Sequence, residues 1–272
     1  MRKKVLIAIP AFNEVKNIGS VLNILRDYKK NILVVDDGST DDTRNIVDSM
    51  EVSVVSHKNN LGLSAAYNSM FNFADSNNYT HMVTLDGDGQ HDPSYVSHYI
   101  KMLDNYDFVI GNRFSFPEEI PPTKLASNFF AVMLTRITFG NTLPDVACGF
   151  RAMKLDKSTK LIHSLHYGVV YEMLFKELNN KKEIGVVNIP AKYDLSERLL
   201  TNTNEIFGLL GELIRYNPME ELKNISYNLF MGSDFEINMQ GYTFRGRYID
   251  SFNYELSTDL EKAKHFYEDF FN

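Results

Sequence analysis

The chain has 272 residues, of which 44% are hydrophobic, 23% charged and 12% aromatic, an ordinary globular composition long enough to bury a sizeable core. No stretch approaches the ~18 uninterrupted apolar residues of a membrane span, the apolar run after the basic start Met1-Arg2-Lys3-Lys4 is too short for a signal peptide, and a single cysteine, Cys148, excludes an internal disulfide framework. The net charge of −7 is carried mostly beyond residue 200, where 12 Asp and Glu stand against 6 Lys and Arg, and this balance argues against a nucleic-acid partner.

The first half alternates short apolar runs with helical spacing. Val5 to Ile9 reads as a buried strand, and Ile18, Val21, Leu22 and Leu25 then recur at the period of a helix. Ile32 to Val35 is a second strand, followed by a helix from near Asp41. Val52 to Ser56 is a third strand and Leu63 to Ala74 a helix. Met82 to Leu85 and Phe108 to Ile110 are a fourth and fifth strand. Continuous apolar strands separated by helices predict an α/β fold with a mostly parallel sheet covered on both faces. Such sheets bind ligands at the carboxyl ends of their strands.

The second half is less regular. Leu125 to Phe139 reads as an amphipathic helix, Tyr167 to Leu178 as another, and Ile184 to Ile189 as a strand. Beyond about Thr201 the pattern changes to a helix over Asn204 to Tyr216, an aromatic-rich stretch from Tyr242 to Tyr254 and a helix-like end from Asp259 to Phe271. The expected division is a domain over 1–200 and an acidic, aromatic-rich appendage over 201–272. Its aromatic content predicts packing rather than disorder.

The strongest local signal is Asp86-Gly87-Asp88-Gly89-Gln90-His91-Asp92-Pro93, directly after the fourth strand. Carboxylates two residues apart on a turning backbone can aim at one point, and hard oxygen donors of this kind suit Mg²⁺ or Mn²⁺. An isolated Asp-X-Asp is equally a solvated turn. The absence of a glutamate at the loop's twelfth position argues against an EF-hand calcium loop. Asp36-Asp37 ends the second strand and Asn13-Glu14 the turn after the first. Three acidic turns at the ends of strands of one sheet predict convergence on one edge. Pro10-Ala11-Phe12-Asn13-Glu14 is no Gly-rich phosphate turn, which argues against a nicotinamide dehydrogenase.

Together these segments resemble family 2 glycosyltransferases, which use the nucleotide-binding fold called GT-A. The matching residues are Ile9 to Glu14, Val34 to Asp41, Asn60-Leu61-Gly62-Leu63 and Asp86 to Pro93. Gly111-Asn112-Arg113 and Asp145 to Arg151, with Glu172 and Pro190 to Arg198, are similar to the polyprenyl-phosphate branch that includes dolichyl-phosphate mannose synthases. The resemblance implies a nucleoside-diphosphate sugar donor of UDP or GDP type, held by Pro10, Ala11, Asn13, Glu14, Asp36, Asp37, Gly62 and Asp86. It implies a Mg²⁺ or Mn²⁺ ion on Asp86, Asp88 and Gln90. It assigns Arg113, Arg151 and Arg198 to diphosphate or acceptor phosphate, a role that Arg forks serve well.

The expected reaction is inverting, metal-dependent transfer of one sugar to a polyprenyl-phosphate acceptor, with Asp145, Arg113 and Arg151 as the catalytic set. The absence of Trp excludes the Gln-x-x-Arg-Trp motif of processive synthases, which favours a single transfer. A saccharide hydroxyl is the alternative acceptor and would need a base, for which Asp145 or Glu172 is available; His91 and His163 stand in no recognisable base arrangement. A third reading is a non-catalytic nucleotide-sugar binding module. The sequence departs from the branch after Arg198, where Leu199-Leu200-Thr201-Asn202 replaces a Gly-x-Ser element, and it lacks the membrane helices that many relatives carry. These features predict a cytoplasmic protein, peripheral at the inner face of the membrane, with any lipid contact through residues 125–139. The appendage then acts as a lid, a packing element or an oligomer contact.

Overall fold

A computed structural model describes residues 3–115, 120–140, 142–156, 164, 168–190, 192, 201–217, 223–226, 235–239, 242–250, 253–259 and 261–264. A seven-stranded sheet runs in the order β3-β2-β1-β4-β6-β5-β7. Its strands are β1 (Val5–Ala11), β2 (Ile32–Asp36), β3 (Ser53–Ser56), β4 (His81–Thr84), β5 (Phe108–Asn112), β6 (Arg151–Lys154) and β7 (Ile184–Asn188). All neighbours pair in parallel except β6, which is antiparallel to both β4 and β5. All five residues of β2 and of β5 are buried, as continuous apolar runs in a sheet covered on both faces require.

The helices between the strands are α1 (Ile18–Ile24), α2 (Thr43–Ser49), α3 (Leu63–Ser76) and α4 (Val96–Met102). The segment before α4 starts by rule: Asp92 caps it by accepting from the Ser94 amide at 2.9 Å, and Pro93 occupies the first turn. Next come α5 (Pro122–Phe139), α6 (Gly168–Asn179) and α7 (Thr203–Tyr216). The α5 helix starts on a proline and stops at Gly140, whose φ of 66° ends it in the left-handed conformation.

The antiparallel course of β6 positions the site. Arg151, its first residue, pairs with Thr84 near the end of β4 and with Ile110 in β5. The loop that precedes β6, residues 145–150, therefore crosses the same edge as the turns after β1, β2, β4 and β5.

Several elements escaped the sequence reading, among them α4, β6 and the strands of the tail. Arg151-Ala152-Met153-Lys154 is too short to show a period, and the aromatic stretch of the tail is not irregular. It forms β10 (Tyr242–Asp250) and β11 (Asn253–Ser257), which with β8 (Thr201–Asn202) and β9 (Phe235–Met239) make an antiparallel sheet in the order β8-β11-β10-β9. Phe244 of β10 is fully buried and meets Phe129 and Phe130 of α5 at ring-centroid distances of 5.4 and 5.3 Å. Ile206, Leu209, Leu210 and Leu213 of α7 join the same core as the main sheet.

This packing corrects one expectation. Leu125, Phe129, Phe130, Val132, Met133 and Leu134 are all buried, so the apolar face of α5 lies inside the protein and offers no surface for a bilayer. Among the described residues no helix is long and apolar enough to cross a membrane.

The α6–α7 contact contains an ionisable cluster. Glu212 of α7 is 4% exposed and lies 3.2 Å from Arg215, with Glu172 and Lys176 of α6 close enough to act on its charge. Burial, then repulsion from Glu172, lifts its pKa from 4.5 to about 7 against the pull of Arg215 and Lys176. A carboxyl raised in the folded state keeps its proton there while the unfolded chain has lost it, so stability falls as pH climbs from about 4.5 to about 7. At about 1.4 kcal/mol per pH unit the loss approaches 3 kcal/mol. Glu212→Gln forfeits the half-exposed Arg215 pair, a small term. The variant should therefore match the wild type near pH 5 and exceed it by about 2 kcal/mol at pH 8. Urea unfolding at the two pH values measures this, and equal stabilities at pH 8 would contradict it.

Candidate active site

Three acidic turns meet at the carboxyl edge. The turn after β1 is laced to the turn after β2: the Asp37 amide donates to the Ala11 carbonyl at 2.8 Å, the Asn13 amide to Ser39 Oγ at 3.0 Å, and the Thr40 amide to Asn13 Oδ1 at 2.8 Å. Asn13 has a φ of 58°, one of the few non-glycine side chains that tolerate it. Pro10 is half-buried and Ala11 buried, in register with Val35 and Asp36 of β2.

Asp36 and Asp37 are both buried and turn inward. Asp36 accepts from the Ser39 amide at 3.0 Å and from Ser56 Oγ at 3.3 Å. Asp37 accepts from His57 Nδ1 at 2.6 Å and from the amides of Leu61 and Gly62 at 3.0 and 2.8 Å. Asp37 thus fixes the 57–62 loop, and Gly62, at φ 88°, supplies a backbone that L side chains rarely adopt. The loop crosses so close to Gly38 that a Cβ there would sit 2.4 Å from the Asn59 carbonyl carbon.

The turn after β4 lies against the turn after β1. A Cβ on Gly87 would stand 3.2 Å from the Pro10 carbonyl oxygen and 3.6 Å from Glu14 Cγ. Glu14 itself is anchored by its amide to Thr43 Oγ1 at 2.7 Å. Its pKa is raised by burial and by repulsion from Asp88 and Asp86, against a hydrogen bond from Asn17. Asp88 accepts from the Gln90 amide at 2.9 Å, and burial followed by the charge of Asp86 pushes its pKa up. Burial also raises Asp86, opposed by the positive charges of Arg113 and Arg151. The Asp86 side chain remains 36% exposed and the Gln90 residue is exposed at the rim. Among the described residues no three His, Cys, Asp or Glu side chains form a complete metal cage.

Behind Asp86 stands His91, 3% exposed, with Nδ1 3.5 Å from Asp86 Oδ2 and no hydrogen bond at that nitrogen. Burial, reinforced by Arg113, depresses its pKa to about 4, so the ring is neutral at pH 7. Its Nε2 lies 3.7 Å from Cys148 Sγ. Burial lifts that thiol to about 12, which makes Cys148 an inert packing residue.

Three of the candidate residues are engaged by other protein groups. Asp145 is fully buried and accepts from Arg113 Nε at 2.8 Å, Arg113 Nη2 at 3.1 Å and the amides of Arg113, Ala147 and Cys148 at 3.3, 3.0 and 3.1 Å. A carboxylate engaged by five donors orients Arg113 and the loop; it is not placed as a base. Arg151 is fully buried, and its guanidinium donates to the carbonyls of Cys148 at 2.7 Å, Val146 at 3.1 Å and Val170. Its fork is thus occupied by backbone carbonyls. Glu172 is fully buried on α6, where it accepts from the Ser164 amide and hydroxyl at 2.8 and 2.6 Å and pairs with Lys176 at 2.8 Å. These contacts make it part of an ion pair in the packing of α6. Arg198 and His163 lie outside the described residues.

Sequence reasoning left two positions without a role. Gly149 is one: a Cβ there would be 2.5 Å from Asp86 Oδ2. The signal was its place within Cys148-Gly149-Phe150-Arg151. His57, the partner of Asp37, carried no local signal.

An open, mostly parallel sheet with an inserted antiparallel strand, and carboxylates gathered on its carboxyl edge, defines the GT-A-like fold of nucleotide-sugar transferases. The chain belongs to glycosyl transferase family 2, whose profile it matches over residues 6–187, and it is a glycosyltransferase. It is 28% identical over 230 residues to undecaprenyl-phosphate mannosyltransferase of Micrococcus luteus, covering 78% of this chain and 91% of that protein. It is 30% identical over 217 residues to UDP-N-acetylglucosamine–dolichyl-phosphate N-acetylglucosaminyltransferase of Methanococcus voltae, covering 70% and 86%. The fold matches glucosyl-3-phosphoglycerate synthase of Mycobacterium tuberculosis, in its crystal structure with UDP, at a TM-score of 0.61 and 22% identity over 78% of this chain and 80% of that one. The same enzyme, crystallised with Mn²⁺, UDP-glucose and phosphoglyceric acid, matches equally at 0.61, with 21% identity and the same coverage of both chains.

Proposed function

We propose that the protein transfers a single sugar, with inversion, from a nucleoside-diphosphate sugar of UDP or GDP type to a polyprenyl phosphate. The observation that carries this reading is the convergence of Glu14, Asp86, Asp88 and Arg113 on one sheet edge beside the Asn13–Asp37 turn. Pro10, Ala11, Asn13 and Gly62, held in place by Asp36 and Asp37, wall the nucleoside side.

The donor set fits a divalent cation. Two carboxylates whose pKa values rise through burial, one of them also through the charge of the other, gain from a positive ion between them. Mg²⁺ in particular takes one or two carboxylates and completes its shell with water and substrate phosphate, so an incomplete protein cage is what it needs. Asp86 and Asp88 would hold the ion, with Gln90 at its rim. Bound there, Mg²⁺ or Mn²⁺ supplies charge to the departing diphosphate. Arg113, aimed by Asp145, adds a fixed positive charge on the same side.

Two engaged carboxylates among the described residues support a phosphate acceptor. The two carboxylates that a hydroxyl acceptor would call on, Asp145 and Glu172, are both buried and fully engaged. A phosphate monoester carries its own negative charge near pH 7, with a second pKa of about 6, and attacks without a base. The names of the Micrococcus and Methanococcus relatives support the same class of acceptor. In this reading residues 1–200 carry the chemistry at the inner face of the cytoplasmic membrane, and residues 201–272 brace α5 and α6.

The test pairs UDP- and GDP-sugars with Mg²⁺ or Mn²⁺ and two acceptor classes, undecaprenyl or dolichyl phosphate in detergent and soluble saccharides. Transfer to the lipid phosphate, with the anomeric configuration inverted in the product, is the expected result. Transfer to saccharide hydroxyls alone would overturn the acceptor, and retention of configuration would overturn the mechanism.

A further inference from the structure

Arg151 carries a buried charge that, among the described residues, has no carboxylate as a hydrogen-bond partner; it donates to the carbonyls of Val146, Cys148 and Val170. The segment it grips is tied at almost every peptide. The Ala147 and Cys148 amides donate to Asp145, the Gly149 carbonyl accepts from Thr84 Oγ1 at 3.1 Å, and the Phe150 carbonyl accepts from the Gly111 amide at 3.0 Å. The Phe150 ring stacks on Tyr99 at 4.0 Å with planes 7° apart. Among the described residues, the carbonyls of Val146 and Cys148 are held by a side chain from further along the chain, Arg151. Through Val170 the same guanidinium also fastens the segment to the first turn of α6.

The held segment delivers one contact toward the site. Gly149 lies so close to Asp86 that a single added carbon would stand 2.5 Å from Oδ2, 3.0 Å from Oδ1 and 3.1 Å from Cγ. The carboxylate therefore lies flat against a glycine that cannot retreat. The buried His91 ring approaches the same Oδ2, with Nδ1 at 3.5 Å.

We infer that Arg151 and Gly149 are positioning residues for Asp86: the buried guanidinium locks the 146–149 backbone, and the bare glycine sets the direction in which the carboxylate faces a bound cation. The inference rests on the cation reading of the preceding subsection. Groups behind a metal ligand orient it, and losing one typically weakens metal affinity by about 10–100-fold. Neither residue touches nucleotide or acceptor in this account.

Gly149→Ala tests the contact and Arg151→Lys tests the clamp, because lysine keeps the charge but cannot fork across three carbonyls. Mn²⁺ uptake is measured by electron paramagnetic resonance on the full chain with saturating UDP or GDP, and nucleotide binding is measured separately without metal. Expected is a Mn²⁺ dissociation constant raised about 10–100-fold in both variants, with metal-free nucleotide affinity unchanged. Phe244→Ala, which loosens the α5 contact away from Asp86, is the control for instability and should leave Mn²⁺ affinity alone. If Arg151→Lys fails to fold, Gly149→Ala decides. Wild-type Mn²⁺ uptake in folded variants would overturn the inference and leave the cation reading intact. No Mn²⁺ uptake by the wild type with either nucleotide would overturn both.

Discussion

Asp88→Ala should reduce sugar transfer by about 10³-fold or more while leaving the protein as stable as the wild type or more so. The loss follows from the role given to the cation: about 4 kcal/mol of charge stabilisation on the leaving diphosphate corresponds to three decades in rate. The retained stability follows from the environment of Asp88. Among the described residues its one hydrogen bond is from the Gln90 amide, and its pKa is raised, first by burial and then by Asp86. A carboxylate that is harder to ionise in the folded state works against folding at neutral pH, so its removal relieves a strain kept for function. Transfer assays with and without chelator, alongside thermal unfolding at pH 7.5, check both halves. Full activity in the variant, or wild-type activity indifferent to chelator, would remove the cation from the mechanism. A steep fall in melting temperature would show instead that Asp88 is part of the framework.

The parallel half of the fold was legible because its signals are local. Val5 to Ile9 and Ile32 to Val35 are uninterrupted apolar runs, and each ends in a polar turn whose residues have no packing reason to be there. The convergence of Glu14, Asp86 and Asp88 was legible for the same reason, since turns at the same end of parallel strands must share an edge. What escaped reading depends on partners distant in sequence. β6 is four residues long and exists because two strands flank it. The tail hairpin has aromatic residues that read as packing, yet its register is set by Tyr242 to Gly246 pairing with β9. The partners of Asp145, Arg151 and Glu172 were hidden from the sequence for a common cause. Charge in a motif signals importance, but only the fold shows whether the charge faces solvent or a ring of carbonyls and amides. Arg113 and Arg151 look alike in sequence; one side chain is 18% exposed and the other is sealed.

Asp145→Ala should cost about 3 kcal/mol or more in stability and carry activity down with it, whereas a catalytic base at this position would affect activity alone. Removing one member of a buried ion pair leaves the other charge unmatched, a penalty of about 3–5 kcal/mol. Arg113 is partly open to water, which places this case at the lower end of that range. Three backbone amides, of Arg113, Ala147 and Cys148, also lose their acceptor, the last of them buried. Asp145→Asn separates the readings further. A side-chain amide still accepts from the backbone groups of Ala147 and Cys148, but its NH₂ confronts the guanidinium with a donor, so the Arg113 fork is lost while the volume is kept. The double variant with Arg113→Ala should be less destabilised than the sum of the single changes, because removing the orphaned cation removes its penalty. Urea unfolding of the four proteins gives the coupling directly. Additive losses would deny the pair. A fully stable Asp145→Asn with turnover abolished and its acid limb erased would restore Asp145 as a base, and with it a hydroxyl as the acceptor.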